Sequence, residues 1–502
     1  MSPAVPRADF VLGRDAWRVS ESASAGLLVD GRNYFRALAR ALERAERAVY
    51  FSGWQFDSGV RLLRGGDAPD GAITEFLPFL EQCCERRPSL RVSILAWDFS
   101  LVYALEREWL QEFKFRMERT GHIRFEFERH PVSTGSQHMK FVVADDTLLF
   151  AGGLDVCDER WDDRDHAYAH PHRMSVDGGP YKPFHDIQVA ATGPVAAELG
   201  ALFRERWRAS TGEVLTPPAR RAPEEFELGQ LSDGAILPIN CPEVALSRTD
   251  VNSSCEPVQE IAQLFATAIQ RAEALIYVET QYFTSLWLGR ALAERLRDTT
   301  RPPLTVVLVL PRDADSPKEQ WALGDAQDAL LWHLQTTARA HGHGWYPVFS
   351  EARQDASTSR GVFIHSKLVI VDDVFLSVGS ANFTNRSMGL DCELNLSWRC
   401  RESADALSAS IQRIRANLLA EHSGRTSGEA FEPASGLRAA LEAELGRPGT
   451  RLRTRLVTPA RTTEWTRIVF DPERPIEPWQ ALASEALTEL ERQFFVGVRA
   501  AS

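Results

Sequence analysis

QHMKFVVADD (residues 137–146) and IHSKLVIVDD (residues 364–373) carry one polar pattern twice, His-x-Lys-x-x-x-x-Asp. The first copy supplies His138, Lys140 and Asp145, and the second supplies His365, Lys367 and Asp372. A turn of small residues follows each at the same distance, Gly152-Gly153-Leu154-Asp155 and Gly379-Ser380-Ala381-Asn382. His365 lies 227 residues beyond His138, and the same shift recurs far from the motifs. ALERAERAVYF (41–51) falls over AIQRAEALIYV (268–278), with Ala41/Ala268, Arg44/Arg271, Ala45/Ala272, Glu46/Glu273 and Tyr50/Tyr277 identical. A period this long is domain-sized and too long for a solenoid unit. It predicts two like domains, each giving half of one composite site.

Local patterns fill in the fold class. Phe35, Leu38, Ala41, Leu42 and Ala45 recur at helical spacing and run into VYFSGW, a buried-strand pattern; IAQLFATAIQRAEALIYVET repeats this sequence of elements. LRVSILAW (90–97) and LTVVLVLP (304–311) are near-continuous apolar runs, expected of strands covered on both faces. Each motif is expected on a strand, so that His138 and Lys140, and likewise His365 and Lys367, share a face. The fold class is therefore α/β, with two similar α/β/α domains and a mostly helical C-terminal segment. The expected boundaries are 1–208 and 236–422 for the two domains, 209–235 for a Pro- and charge-rich connection, and 423–502 for the appendage.

Composition sets outer limits. The 502 residues suffice for two domains, and 44% hydrophobic with 25% charged residues is ordinary globular composition. A formal net charge of −12 disfavours non-specific nucleic-acid binding, which draws on Lys and Arg at phosphates. It also gives no general attraction to anionic membranes, so lipid contact would rest on local features. Seven cysteines, an odd number without a Cys-x-x-Cys pair, suggest neither a zinc site nor a disulfide framework, and a reducing compartment is the simpler reading. Neither a secretory leader nor an apolar membrane-spanning run is visible, so a cytoplasmic protein is expected, peripheral to a membrane or exported without a cleaved signal in the remaining readings.

The paired motifs resemble those of the phospholipase D superfamily. GGLDVCDERWDDRDH, FHDIQVAATGP, IYVETQYFTS and GSANFTNRSMGLDCELNL are similar to its phosphatidyl-transferring branch, and FDPERPIEP to bacterial members of it. Met139 departs from the Gln common between the motif His and Lys. The resemblance implies a two-step phosphodiester cleavage: one histidine attacks phosphorus, and the other protonates the leaving alcohol and then activates water or an acceptor alcohol. No cofactor or metal is expected for that chemistry, because two His and two Lys already supply nucleophile, proton transfer and positive charge.

The candidate catalytic set is both motifs, His138, Lys140, Asp145, His365, Lys367 and Asp372, with Asp145 and Asp372 read as structural pairing residues. Resemblance favours His138 as nucleophile and His365 as acid/base. Lys140, Lys367 and Asn382 would hold the phosphate, whereas Asp155 replaces Asn in the first turn and is a doubtful substrate contact. Asp186 and Glu393 stand where they could each orient a histidine, in a crossed arrangement by resemblance, Glu393 with His138 and Asp186 with His365. The acidic, His-rich stretch Asp158, Asp162, Asp163, Asp165, His166, His170 and His172 reads as a solvated loop over the site, with cation binding as the alternative although its spacing fits no calcium-loop or zinc template, and His341 and His343 read as part of a flexible loop. Trp287, Trp345, Tyr346 and Phe349 are core by default, with an apolar lipid-facing rim as the alternative. The expected partners are a phospholipid at a membrane surface and water or an alcohol; no nucleic acid is expected, and the oligomer is unread. The competing readings are a nuclease and a scaffold that keeps the fold without the chemistry.

Overall fold

Two mixed sheets repeat one strand order. In the first, eight strands run Leu237–Pro238, Ser24–Val29, Ile187–Thr192, Leu148–Gly152, Phe141–Ala144, Ala48–Gly53, Arg91–Trp97 and Ile123–Glu128. In the second, the path is Arg18–Glu21, Glu243–Val251, Glu393–Arg399, Phe375–Gly379, Leu368–Val371, Leu275–Glu279, Thr305–Val309, Gly344–Arg353 and Ser359–Gly361, with Pro257–Gln259 and Leu452–Thr454 pairing beside it. From the second strand to the eighth the two paths match, down to parallel pairing of the same two neighbours, 48–53 with 91–97 and with 123–128 beyond, and 275–279 with 305–309 and 344–353. The structure is a computed structural model that describes residues 9–98, 111–132, 134–219, 226–251, 256–314, 320–355, 357–400, 406–459 and 471–474.

Strand alternation sorts the apolar runs into layers. Val142 and Ala144 join an outer core with the helix Asp30–Arg44, while Phe141 and Val143 face an inner cluster. In the second sheet Val369 and Val371 face another outer core, and Leu368 and Ile370 face the same inner cluster. That inner cluster also takes the helices Pro194–Thr211 and Ala406–Ser423, through Leu199, Phe203 and Trp207 and through Ile411, Ile414 and Leu418. One apolar layer is thus shared by both sheets. Burying it is the main cohesive term between them, at about 25 cal/mol per Å² of apolar surface removed from water.

Short segments cross between the halves. Arg18–Glu21 pairs with Glu243–Leu246 of the second sheet, and Leu237–Pro238 pairs with Gly26–Leu27 of the first. Phe226, Leu228 and Leu231, inside the Pro- and charge-rich stretch, are buried in the first outer core. At the C-terminal end Phe431, Leu437, Leu441 and Leu452 are buried in the shared layer, and Asp471 accepts hydrogen bonds from Thr284, Asn385 and Arg386. The expected helical run at 479–495 and Cys255 lie outside the described residues. Cys83, Cys84, Cys157 and Cys392 are buried free thiols. No helix among the described residues is long and apolar enough to cross a membrane.

Two loop readings are corrected. Asp162 and His166 are fully buried, not solvated, because Arg173 and Glu421 reach them from elsewhere in the chain. His343 is also buried: its Nδ1 accepts from the Leu304 amide at 2.7 Å and its Nε2 donates to the Leu296 carbonyl at 2.9 Å. Trp287 and Trp345 pack against the second outer core, and Tyr346 packs against the shared layer.

Candidate active site

The motif histidine and lysine precede the regular strands, at Phe141–Ala144 and Leu368–Val371, instead of lying on them as the spacing predicts. The reason is that each histidine backbone is engaged by the opposite half, while each lysine carbonyl accepts from the turn of its own half, from the Gly152 and Gly379 amides at 3.2 Å. The His138 amide donates to the Cys392 carbonyl at 2.9 Å, and the Cys392 amide donates to the Ser136 carbonyl at 2.9 Å. In the second copy the His365 amide donates to the His185 carbonyl at 2.8 Å, beside a parallel pairing of Phe363–Ile364 with Phe184–His185. Each motif is thereby anchored one residue before a carboxylate of the other half.

The resulting contacts are crossed. Nδ1 of His138 lies 2.9 and 3.0 Å from the Glu393 carboxylate, and Nδ1 of His365 lies 2.6 Å from Asp186. Ser380 Oγ donates to Glu393 at 2.5 Å, and the Ile187 amide donates to Asp186 at 2.7 Å, so each carboxylate is itself held. Gly153 is the residue that lets Asp186 in: a Cβ there would stand 2.1 Å from Asp186 Oδ1. With the shared proton on Nδ1, each imidazole keeps its Nε2 lone pair for chemistry.

Burial governs the charge state. It presses His138 and His365 well below the ordinary imidazole pKa, and the nearby Lys140 and Lys367 charges press in the same direction on both. Each histidine thus feels both lysines, which places the two motifs in one electrostatic site. Burial also lifts Asp186 to about 6 and Glu393 well above the ordinary carboxylate range. Lys367 is pulled down to about 7 by burial, against the opposing attraction of Asp186 and helped by Lys140.

The lysines differ in their partners. Lys140 Nζ pairs with Asp155 at 3.0 Å and donates to the His138 carbonyl at 3.4 Å; Lys367 Nζ donates to the His365 carbonyl. Asp155, the residue standing for Asn in the first turn, accepts from the Trp54 amide at 2.9 Å through its other oxygen. Asn382, its counterpart, is buried with an Oδ1 that has no partner among the described residues.

Asp145 and Asp372 bind backbone amides. Each caps the entry to a strand: Asp145 accepts from the amides of Glu46, Arg47 and Ala48 at 2.8, 2.8 and 2.9 Å. Asp372 accepts from Glu273, Ala274 and Leu275 at 2.7, 2.7 and 2.8 Å. Both open a tight hairpin turn with the following aspartate, all four at φ of 52–53°, a left-handed backbone that Asp tolerates better than most residues.

Sequence reading missed several contributors. Trp54 lies edge-on to His138, with ring centroids 5.4 Å apart, and 5.5 Å from Lys140 Nζ. Phe184 and Phe363 flank His365 at 5.4 and 6.3 Å. Arg160 stacks 5.1 Å from the Phe184 ring, and its charge is felt at His365. Single aromatic or basic residues carry no periodic signal, so only the fold reveals them. A cavity of about 760 Å³ lined by Arg61, Arg64, Thr74, His172 and Met174 includes neither motif histidine.

The chain is similar to known proteins in sequence and in fold. The family described as "Cardiolipin synthase, PLD-like domain" matches residues 265–415, the part holding the second motif. "Phospholipase D alpha 1" of Oryza sativa subsp. japonica is 24% identical, over 72% of this chain and 60% of that protein. "Phospholipase D1" of Saccharomyces cerevisiae is 22% identical, over 72% of this chain and 26% of its own length. The chain therefore spans well under two thirds of these relatives. In fold it is similar to the crystal structure of phosphatidylserine synthase from Haemophilus influenzae Rd KW20, with TM-score 0.54 and 13% identity, over 85% of this chain and 93% of that one. By the family match over its second half and by its curated relatives, the chain is similar to the phospholipase D superfamily, and its fold is similar to that of the phosphatidylserine synthase.

Proposed function

We propose that this protein cleaves glycerophospholipids at the head-group side of the phosphate, by hydrolysis or by transfer to an alcohol. The observation that carries the reading is the crossed pair of histidine–carboxylate contacts, His138 with Glu393 and His365 with Asp186, in one site with two lysines. His138 Nε2 attacks phosphorus, and the bond from phosphorus to the head-group oxygen breaks. The proton on His365 goes to that oxygen. His365 then takes a proton from water or an acceptor alcohol, whose oxygen attacks phosphorus and frees His138. Lys140, Lys367 and Asn382 steady the non-bridging oxygens, where charge is concentrated. The anionic substrate itself supplies what the empty site lacks, a negative charge that favours a protonated His365.

Lipid is favoured over nucleic acid by the net charge of −12 and by the aromatic rings beside both histidines. The similarity to phospholipase D sequences supports the same choice. We further propose that residues 1–208 and 236–422 are the two units that build the site, joined through 209–235, with 423–502 appended. The test is head-group release from a panel of phospholipids, with chelator added at the time of assay and single- and double-stranded DNA run alongside. Release from one or more lipids with intact DNA is expected. DNA cleavage without lipid turnover would make the protein a nuclease, and no turnover of either would make it a scaffold.

A further inference from the structure

Between the two halves, behind the catalytic residues, lies a second group of titratable side chains that the reaction does not use. Asp30, His166, His185 and Glu421 are each fully or almost fully buried. Each offers one donor atom, and these four atoms lie within 4.8 Å of one another. Glu421 Oε1 is 2.8 Å from His185 Nδ1 and 3.1 Å from His166 Nε2. Asp30 Oδ1 is 3.0 Å from His185 Nδ1, and its Oδ2 is 3.6 Å from His166 Nε2. Donors at about 2.0–2.1 Å from a tetrahedral zinc ion stand about 3.3–3.4 Å apart, the middle of this range.

Two buried atoms in the cluster are left over. Among the described residues Asp30 Oδ2 and His185 Nδ1 make no well-aligned hydrogen bond, although two carboxylates lie within 3.0 Å of that nitrogen. A buried polar atom without a partner is costly and calls for an explanation. An ion at the shared focus would satisfy both.

The outer nitrogens of the two imidazoles are arranged to match. His166 Nδ1 lies 3.0 Å from Asp162, and His185 Nε2 lies 2.9 Å from Glu279. A metal-bound histidine characteristically donates its other N–H to a carboxylate, which fixes the tautomer and directs the lone pair inward. Those carboxylates are held in turn. Asp162 binds Arg173 at 2.9 and 3.1 Å, and Glu279 accepts from Tyr277, His422 and Ser366. Four carboxylates meet three guanidiniums: Arg173, Arg164 paired with Glu421, and Arg451, whose charge is felt at Glu421, Asp162 and Asp30. A divalent ion with neutral imidazoles would offset the negative charge that remains.

We infer that Asp30, His166, His185 and Glu421 form a structural divalent-metal site of the zinc type, which fastens the helix Ala406–Ser423 to the first half of the chain. It stands outside the proposed reaction, which uses none of these four residues, and its failure would leave that reading untouched. The same charge balance is reached without an ion if both imidazoles are protonated, and the experiment separates the two.

The full chain is produced in zinc-supplemented medium, dialysed exhaustively and analysed for metal by mass spectrometry. One zinc per chain is expected, retained in His138→Ala and falling to about a tenth or less in His166→Gln and in Asp30→Asn, since each loses a ligand. If those variants do not fold, wild type alone decides: its melting temperature should fall when it is refolded in chelator and recover when zinc is returned. Zinc-free wild type with the same melting temperature in chelator and in zinc would overturn the site. Zinc retained at full stoichiometry in folded His166→Gln and Asp30→Asn would also overturn it.

Discussion

Glu393 holds Nδ1 of His138 at 2.9 Å although 255 residues separate them in the chain, and the reciprocal pair, His365 with Asp186, spans 179. Neither motif can orient its own histidine, so neither half is expected to act alone. Replacing the Glu393 carboxyl group with an amide, whose NH₂ can only donate, should leave the ring in the wrong tautomer part of the time. We expect Glu393→Gln to lower kcat by about 10²–10⁴-fold with a much smaller change in KM. Steady-state kinetics checks this, and an unchanged kcat would remove Glu393 from the positioning role.

The pH profile should be asymmetric. Burial and the lysine charges hold His138 well below the ordinary value of 6.5, so the nucleophile is already neutral at pH 7 and the acid limb of kcat/KM should lie below 6.5. Lys367, held near 7, loses its charge as pH rises, and the empty site then captures an anion less well. An alkaline limb near pH 7 is therefore expected. In Lys367→Arg the residual activity should lose that limb, because guanidinium does not titrate there. A limb that stays in place in this variant would assign it to another group.

Loss of either histidine should disable the whole centre. His138→Ala and His365→Ala are each expected to cost several orders of magnitude in turnover, and the double variant little more, because the groups act as a unit. Partial losses that multiply in the double variant would indicate two independent half-active centres.

Asp145 and Asp372 should matter through stability. Each accepts three backbone amides at the entry to a strand, and truncation would leave those donors unsatisfied. Asp145→Ala should destabilise by roughly 3 kcal/mol, about the cost of stranding such groups. Denaturant unfolding measures the loss, and the remaining folded protein should keep a near-normal kcat. A full loss of kcat in folded Asp145→Ala would make the residue chemical.

What the sequence disclosed, and what it hid, follows physical lines. The strand pairs 141–144 and 368–371 were legible because both their faces are buried, which makes the apolar runs continuous. The doubled motif and the 227-residue shift disclosed the repeated sheet. Arg18–Glu21 was not legible as a strand of the second sheet: four largely polar residues on an edge carry no period, and their partner is more than 200 positions away. Asp162 and His166 looked solvated because a charge-rich stretch does not display distant partners such as Glu421. The histidines fall outside the regular strands because the opposite half claims their backbone amides, a tertiary effect that overrides local pattern.

The most direct test of the composite site is to trap its intermediate. A substrate with a good leaving group is mixed with wild type and with His365→Ala, in which departure needs little protonation while hydrolysis still lacks its base. After quenching, mass spectrometry locates the phosphorylated peptide. The adduct should sit on the peptide containing His138, and it should persist longer in His365→Ala than in wild type. Product formation with no adduct on either motif peptide would contradict covalent catalysis, and an adduct on His365 with none on His138 would reverse the roles of the two halves.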